Sequence, residues 1–442
     1  IRLLLECYQG GPLRKGVIRL QTDQEAKGSP GDLGPQFRSL LRRFDGSVHD
    51  LSPQVRFGHV LDQGEGHRAA NLGREPSHPV DFLARVDEIL AVGTRRSQFE
   101  DARTRILEPI AEAEEFVAGC MERSGDLTHH VGTNAVARDV DLMRRAMGEE
   151  RISYLGYSYG TRLGAVYAAL FGDRVRAMVL DGPVDPAEQV SRPSRIQADG
   201  FEASWSAFAA ACDAEPTCPL IVLGGSEQAF AAAVARVVKA PIAAGDRQVT
   251  HGEFYLGVGA ALYSPDTWPA LGAGLAEVLE LGSATVLQEL GDMLLGRRED
   301  GSYDGSMDAM FLVDCADDPE RPPPGEVFEA SVALADTLAH FGPAFAGSTG
   351  CHPLPDAVDP LHVGPADLEV PALVAYLEGD PATPPTWASA LAEVMVDAVV
   401  ISSNAEGHGA YLTNSWCLTE PITRYLVDLE VPVDGWSCIE LG

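Results

Sequence analysis

The sequence predicts an α/β fold: a mostly parallel sheet flanked by helices, with an inserted, mostly helical segment. Three observations carry this. Helix, strand, turn, helix and strand follow one another between about residues 134 and 182. The same alternation returns between about 370 and 428. The text between them has helical periods and few strand-like runs. Apolar strands alternating with helices require a parallel sheet covered on both faces. A chain of 442 residues also exceeds one usual core, so an elaborated domain is expected.

Taken in order, the first hundred residues are rich in Arg and Gly. They show few clean apolar periods beyond "LLLECY" and "VDFLARVDEIL". The next pattern, "NAVARDVDLMRRAMG", places Val136, Val140, Met143 and Met147 on one helical face, with Thr133 or Asn134 as its cap. "RISYLG" reads as a short strand, "TRLGAVYAALFG" as a helix ending at Gly172, and "RVRAMVLDG" as a buried strand stopped by Gly182-Pro183. Residues 1–186 are thus the first part of the sheet domain. Residues 187–365 form the insertion, with helices such as "EQAFAAAVARVVKA" and "WPALGAGLAEVLELG". Residues 366–442 complete the sheet with strand "VPALVAYLEGD", helix "PPTWASALAEVM", strand "DAVVISSNAEGHG" and a closing helix "EPITRYLVDL".

Charge and cysteine usage narrow the function classes. Residues 1–100 hold 14 Lys and Arg against 13 Asp and Glu, leaving 19 against 52 for the rest of the chain. So negative a surface repels nucleic-acid phosphates and anionic membranes and favours cationic ligands, such as a peptide with a free amino terminus. A solubility surface is the plainer reading of the same charge. No apolar run approaches the ~18 residues of a membrane span, and "IRLLLE" is too short for a signal peptide's apolar region. The chain opens on Ile1, so something upstream is expected to be missing. Of the eight cysteines, none forms a C-x-x-C pair or neighbours histidines at zinc spacing, which argues against a metal site. An exported enzyme with a few disulfides fits, Cys212–Cys218 being the short loop. Reduced, buried thiols of a cytosolic enzyme are the alternative. No phosphate-binding glycine loop is present, and no cofactor is expected.

One motif carries chemistry. "GYSYG" places Ser158 between Gly156 and Gly160, preceded by a strand and followed by a helix. That context defines the sharp turn that exposes a serine nucleophile at the carboxyl edge of a sheet. The backbone N–H of Tyr159 then faces the position of a developing oxyanion. A serine hydroxyl needs a base and an orienting carboxylate, which in this architecture follow later, each just past a strand. Asp380 follows "LVAYLEG", and His408, flanked by Gly407 and Gly409, follows "VVISSNAEG". The expected roles are Ser158 nucleophile, His408 general base and acid, and Asp380 orienting the imidazolium. Asp181, which also ends a strand, is the rival acid. Ser158 as a small residue at a helix–sheet contact and Asp380 as an ordinary cap are the competing structural readings. His129-His130 and Glu149-Glu150 read as loop residues.

From about residue 115 onward the chain resembles the exported tripeptidyl and prolyl aminopeptidase-like serine hydrolases of actinobacteria, members of the α/β-hydrolase fold. The resemblance rests on the continuous stretch from Asn134 to Phe171, on "RVRAMVLDGPVDP", "CDAEPTCPL" and "DCADDP", and on "VPALVAYLEGDPATPP" with the following "AEGHGAYL" and "PITRYLVDLEVP". It covers roughly three quarters of the chain. It implies the same three roles for Ser158, Asp380 and His408, a helical cap over the site, export to the cell surface or beyond, and removal of short peptides from amino termini. It also implies disulfides Cys212–Cys218, Cys315–Cys351 and Cys417–Cys438. Relatives carry an early glycine-rich loop whose backbone supplies the second oxyanion donor. Here Gly10-Gly11-Pro12 after "LLLECYQ" is the counterpart, which makes Gly11 the candidate. The rest of the first hundred residues departs from the family pattern, as divergence, truncation or a misread frame would produce. For the substrate's ammonium, Glu202, Glu215 and Glu253 in the insertion are the candidates. An ester, lactone or amide of a small metabolite is the alternative substrate, and a non-catalytic peptide binder with a defective oxyanion hole the alternative class.

Overall fold

The computed structural model describes residues 99–345, 348–411 and 415–440. A sheet of five parallel strands runs in the order β1 (Ile152–Tyr157), β2 (Val175–Asp181), β5 (Leu373–Gly379), β6 (Val399–Glu406), β7 (Trp436–Cys438). Its centre is a continuous apolar run in β2 and β5, where Val179, Leu180, Leu373 and Val374 are fully buried. Both faces are covered, as an all-parallel sheet requires. One face packs on the helices Thr133–Ala146, Tyr159–Phe171 and Pro385–Val394, and the other on Trp416–Asp428.

The helix Thr133–Ala146 forms, but its details differ from the sequence expectation. Its cap is Gly132 rather than Thr133 or Asn134. Thr133 donates instead to Asp317 (Oγ1 to Oδ2, 2.5 Å) and Asn134 to Asp359 and Pro360 O. Tertiary acceptors outcompeted local capping. Met147 is the exposed C-cap, and the buried face is Ala137, Asp141 and Arg144, with Val136 and Val140 against the sheet. The closing helix starts at Trp416 and contains Pro421 in its interior, rather than beginning at the proline. β7 had no counterpart in the sequence reading.

Between β2 and β5 lies the insertion, with the helices Arg195–Ala214, Ser226–Lys239, His251–Leu262, Trp268–Glu280, Thr285–Leu294, Ser306–Asp317 and Pro324–Ala335. Its only strands among the described residues are a hairpin, β3 (Ile242–Ala244) and β4 (Arg247–Val249). The insertion has its own core around Trp205, Phe208, Phe254 and Leu275. Its "DCADDP" segment fastens it to the sheet domain. Asp317 accepts from Thr133 N–H (2.6 Å) and Asp314 faces the buried Arg162, while Asp318 accepts from Ser191 N–H (2.9 Å) within the insertion. Disulfides join Cys212 to Cys218, Cys315 to Cys351 and Cys417 to Cys438. Among the described residues, no helix is long and apolar enough to cross a membrane.

The helix Tyr159–Phe171 lies on β1 and β2 at a distance only glycine permits. A Cβ at Gly164 would stand 2.6 Å from Leu180 Cδ2 and 2.7 Å from Tyr154 Cε1. Gly164→Ala is therefore expected to cost about 1–3 kcal/mol by overpacking. Gly325→Ala, at a position with open space, is expected to stay within about 0.5 kcal/mol. Urea denaturation midpoints of the two variants check the contrast.

Candidate active site

Ser158 occupies the turn between β1 and the helix Tyr159–Phe171, with φ 51° and ψ −122°. A non-glycine residue at positive φ stores strain of about 1–3 kcal/mol and persists only where its surroundings enforce it. They do so here. Ser158 N–H donates to Asp181 O (3.1 Å), and its carbonyl accepts from Thr161 N–H (2.8 Å) and Thr161 Oγ1 (2.6 Å). Tyr154 Oη donates to Gly160 O (2.6 Å) from below. The two motif glycines are not equivalent. A Cβ on Gly156 would collide with Gly160 O and come within 2.7 Å of Tyr154 Cε1, whereas one on Gly160 would meet only Tyr154 Oη at 3.8 Å.

Tyr159 begins the helix, and N–H groups of a first turn have no partner within the helix. Its side chain is held by a relay. Because Thr133 Oγ1 donates to Asp317, Tyr159 O–H donates to Thr133 Oγ1 (2.7 Å). Burial pushes the Tyr159 hydroxyl well above its ordinary pKa, so it remains the donor.

The structure brings Asp380 and His408 together. His408 Nδ1 lies 2.9 Å from both carboxylate oxygens of Asp380. Asp380 is 0% exposed at its side chain and follows β5, while His408 follows β6 through Gly407 (φ 106°) and Gly409 (φ 77°). Four further donors satisfy the buried carboxylate: Ala382 N–H (2.9 Å), Thr383 N–H (2.8 Å), Thr383 Oγ1 (2.8 Å) and Gly409 N–H (3.2 Å). Such donors are what make a buried charge tolerable. Burial alone would lower the His408 pKa, but the Asp380 charge and hydrogen bond, with a further contribution from Asp181, raise it above 6.5.

Asp181, the rival acid, does not bond the imidazole. Its side chain accepts from Ala410 N–H (2.7 Å) and Tyr411 N–H (2.8 Å), and burial raises its pKa to about 6. The Ser158 turn and the His408 loop both meet the end of β2. Ser158 N–H is bonded to Asp181 O, and a Cβ on Gly182 would lie 3.4 Å from His408 Cε1. Between Ser158 Oγ and the His408 ring there is no hydrogen bond; such contacts are often long without substrate and tighten in the complex.

The insertion reaches this site at two places the sequence reading missed. Tyr263 O accepts from His408 N–H (2.8 Å), and the Tyr263 ring stands edge-on to the imidazole at 5.2 Å. Burial raises the Tyr263 pKa to about 12. The helix Arg195–Ala214 lies on the Asp380 loop, with Gln197 Nε2 donating to Ala382 O (2.9 Å). Of these residues only Thr383 had a legible signal, three positions after an aspartate in "DPAT".

The three glutamates proposed for ammonium binding are not brought together. Glu202 accepts from His340 N–H and Phe341 N–H (both 2.7 Å) and pairs with His340 Nδ1 (2.8 Å). Glu215 follows the same helix, about 20 Å along it at 1.5 Å per residue, and accepts from Thr217. Glu253 closes a capping box with Thr250 and faces Arg247. Gly11 lies outside the described residues.

A serine on a strained strand–helix turn, with an aspartate–histidine pair at the ends of β5 and β6, is an arrangement that α/β-hydrolase folds use. The family descriptions agree: "alpha/beta hydrolase fold" matches residues 110–222 and "TAP-like protein" matches residues 339–438. Over these two stretches the chain resembles the TAP-like α/β hydrolases. It is 32% identical over 348 residues to "Serine protease Hip1" of Mycobacterium tuberculosis (strain ATCC 25618 / H37Rv), covering 74% of this chain and 65% of that relative. To "Carboxylesterase B" of the same organism it is 33% identical over 336 residues, 72% of this chain and 63% of the relative. To "Tripeptidyl aminopeptidase" of Streptomyces lividans it is 44% identical over 107 residues, 23% of this chain and 20% of the relative. The chain thus spans somewhat less than two thirds of the first two relatives.

Asp380→Asn removes the negative charge that, together with its hydrogen bond and Asp181, offsets burial at His408. The imidazole pKa is expected to fall in this variant, and an NMR titration of the His408 ring C–H signals reads the shift directly. An unmoved titration would separate the His408 charge state from Asp380.

Proposed function

We propose that this protein is a serine hydrolase that releases short peptides, tripeptides or prolyl-containing ones, from free amino termini through an acyl-enzyme. The observation that carries the reading is the strained Ser158 turn set beside the buried Asp380–His408 pair. In this mechanism His408 Nε2 takes the Ser158 Oγ proton as Oγ bonds to the scissile carbonyl carbon. The carbonyl electron pair moves onto oxygen, where the Tyr159 N–H meets it and Gly11 is the candidate second donor. Collapse breaks the C–N bond, and His408 passes its proton to the departing amine. A water molecule, deprotonated by the same imidazole, then releases the acyl product. Asp380 holds the ring by Nδ1 and steadies the imidazolium as it forms. No cofactor or metal enters these steps.

The peptide substrate is supported by relatives bearing the names serine protease and tripeptidyl aminopeptidase. The acidic excess after residue 100 would draw a substrate ammonium. The disulfides among the described residues fit export to an oxidising compartment, at the cell surface or beyond. A carboxylesterase relative at 33% identity favours a second reading, hydrolysis of a small-molecule ester by the same residues.

A fluorophosphonate probe is expected to label wild-type protein at Ser158 and not Ser158→Ala. Absence of labelling with His408 intact would sink the hydrolase reading. Turnover of aminoacyl- to tetrapeptidyl-chromogenic substrates, but not of simple acyl esters, is expected. The opposite pattern selects the esterase. Because the reaction needs neutral His408 and its pKa is raised, kcat/KM is expected to fall as pH drops through a value above 6.5. A profile flat to pH ~4 would remove His408 from the base role.

A further inference from the structure

We infer that Asp181 is a positioning residue that sets the distance between Ser158 and His408 by holding both of their loops. The inference rests on the hydrolase reading above and adds a role for a residue that reading does not use. Asp181 ends β2, the strand between the one that carries Ser158 and the one that carries Asp380. Its backbone is clamped on both sides. Its carbonyl accepts Ser158 N–H (3.1 Å), and the next residue, Gly182, donates its N–H to Ala375 O of β5 (3.0 Å). Its carboxylate, fully buried, then spans to the loop after His408, one oxygen taking Ala410 N–H (2.7 Å) and the other Tyr411 N–H (2.8 Å). A single residue therefore bonds the nucleophile's own amide through its main chain and the histidine loop through its side chain. Gly182 must lack a side chain because a Cβ there would lie 3.1 Å from Thr383 Oγ1 and 3.4 Å from His408 Cε1, so the strand end fits against the dyad without a spacer.

The two-oxygen, two-amide geometry demands a carboxylate. An asparagine presents one acceptor oxygen and an NH2 group, and the NH2 would face a backbone donor. Losing a bond at either amide frees the His408 loop, and an ångström of displacement between reacting groups is worth about 100-fold in rate. The charge acts as well. The titratable groups facing His408 are Asp380 and Asp181 from the two strand ends and Tyr263 from the insertion. Those facing Asp181 are His408, Asp380, Tyr157 and Tyr411. Asp181 adds to the field that keeps the imidazole basic.

The test compares wild type, Asp181→Asn and Asp181→Glu, each checked for folding by circular dichroism. Asp181→Asn is expected to lower kcat by about 10–100-fold with KM within about twofold, and to move the acid limb of kcat/KM to lower pH. Asp181→Glu keeps the charge but not the reach, so its kcat falls while the limb stays. Wild-type kcat in Asp181→Asn overturns the proposal. So does a loss that merely tracks the folded fraction with an unmoved limb, which is what a packing role alone gives. If neither variant folds, hydrogen exchange on the wild-type protein decides. Ala410 and Tyr411 amides are expected to be protected like those of β5 and β6, and loop-like exchange overturns the proposal. Wild-type protein that fails to react with the fluorophosphonate indicts the hydrolase reading instead, so the two failures are distinguishable.

Discussion

The close seat of the helix Tyr159–Phe171 on β1 and β2 is the constraint from which the site follows. Gly156 and Gly164 let the helix axis approach until Tyr154 and Leu180 fill the gap, and the connecting residue has no room for an ordinary turn. Ser158 takes a positive φ as a result. Strain of about 1–3 kcal/mol is held by a few well-aligned bonds, each worth about 1 kcal/mol net. Asp181 O, Thr161 and Tyr154 supply them. The serine is thus presented by packing, while polar contacts only keep it from relaxing.

Two aspartates end neighbouring strands, and the structure distinguishes them by their donors. Asp380 meets the imidazole Nδ1 together with the amides of its own turn, so its bonds orient the carboxylate on the ring. Asp181 meets only main-chain amides of the next loop, which fixes a backbone path. Both are buried, and both add negative potential at His408. That is why the imidazole stays basic in a place where burial would otherwise make it acidic.

The sheet was largely legible because β1, β2, β5 and β6 are short apolar runs closed by glycine or by a polar strand end, and parallel burial makes such runs continuous. β7 was not, since three residues with an exposed Trp436 carry no period and pair only because the preceding helix returns the chain to β6. The Ser158 motif and the strand-end positions of Asp380 and His408 could be read because their spacing is set locally. What failed was anything decided by a distant partner. Thr133 and Asn134 look like caps, yet Asp317 and Asp359 take their side chains across 184 and 225 residues of chain. Glu202 looks available until His340 occupies it, and Tyr263 has no local mark of its contact with His408. Glu253 is the reverse case. Thr250 three residues before it spells a capping box, which the search for an ammonium partner passed over.

A raised histidine pKa has two opposing consequences for the proposed chemistry. The more basic imidazole takes the serine proton with a better driving force, but it is neutral in a smaller fraction of molecules as the medium acidifies. The balance depends on how dry the ring is, because Coulomb effects from Asp380 and Asp181 grow as water is excluded. Tyr263 contributes there without adding charge. Its hydroxyl is held neutral by burial, its ring packs perpendicular to the imidazole, and its carbonyl fixes the His408 amide. The insertion therefore touches the base directly. By shielding a charged pair it did not create, it helps determine the pH range over which the pair can work.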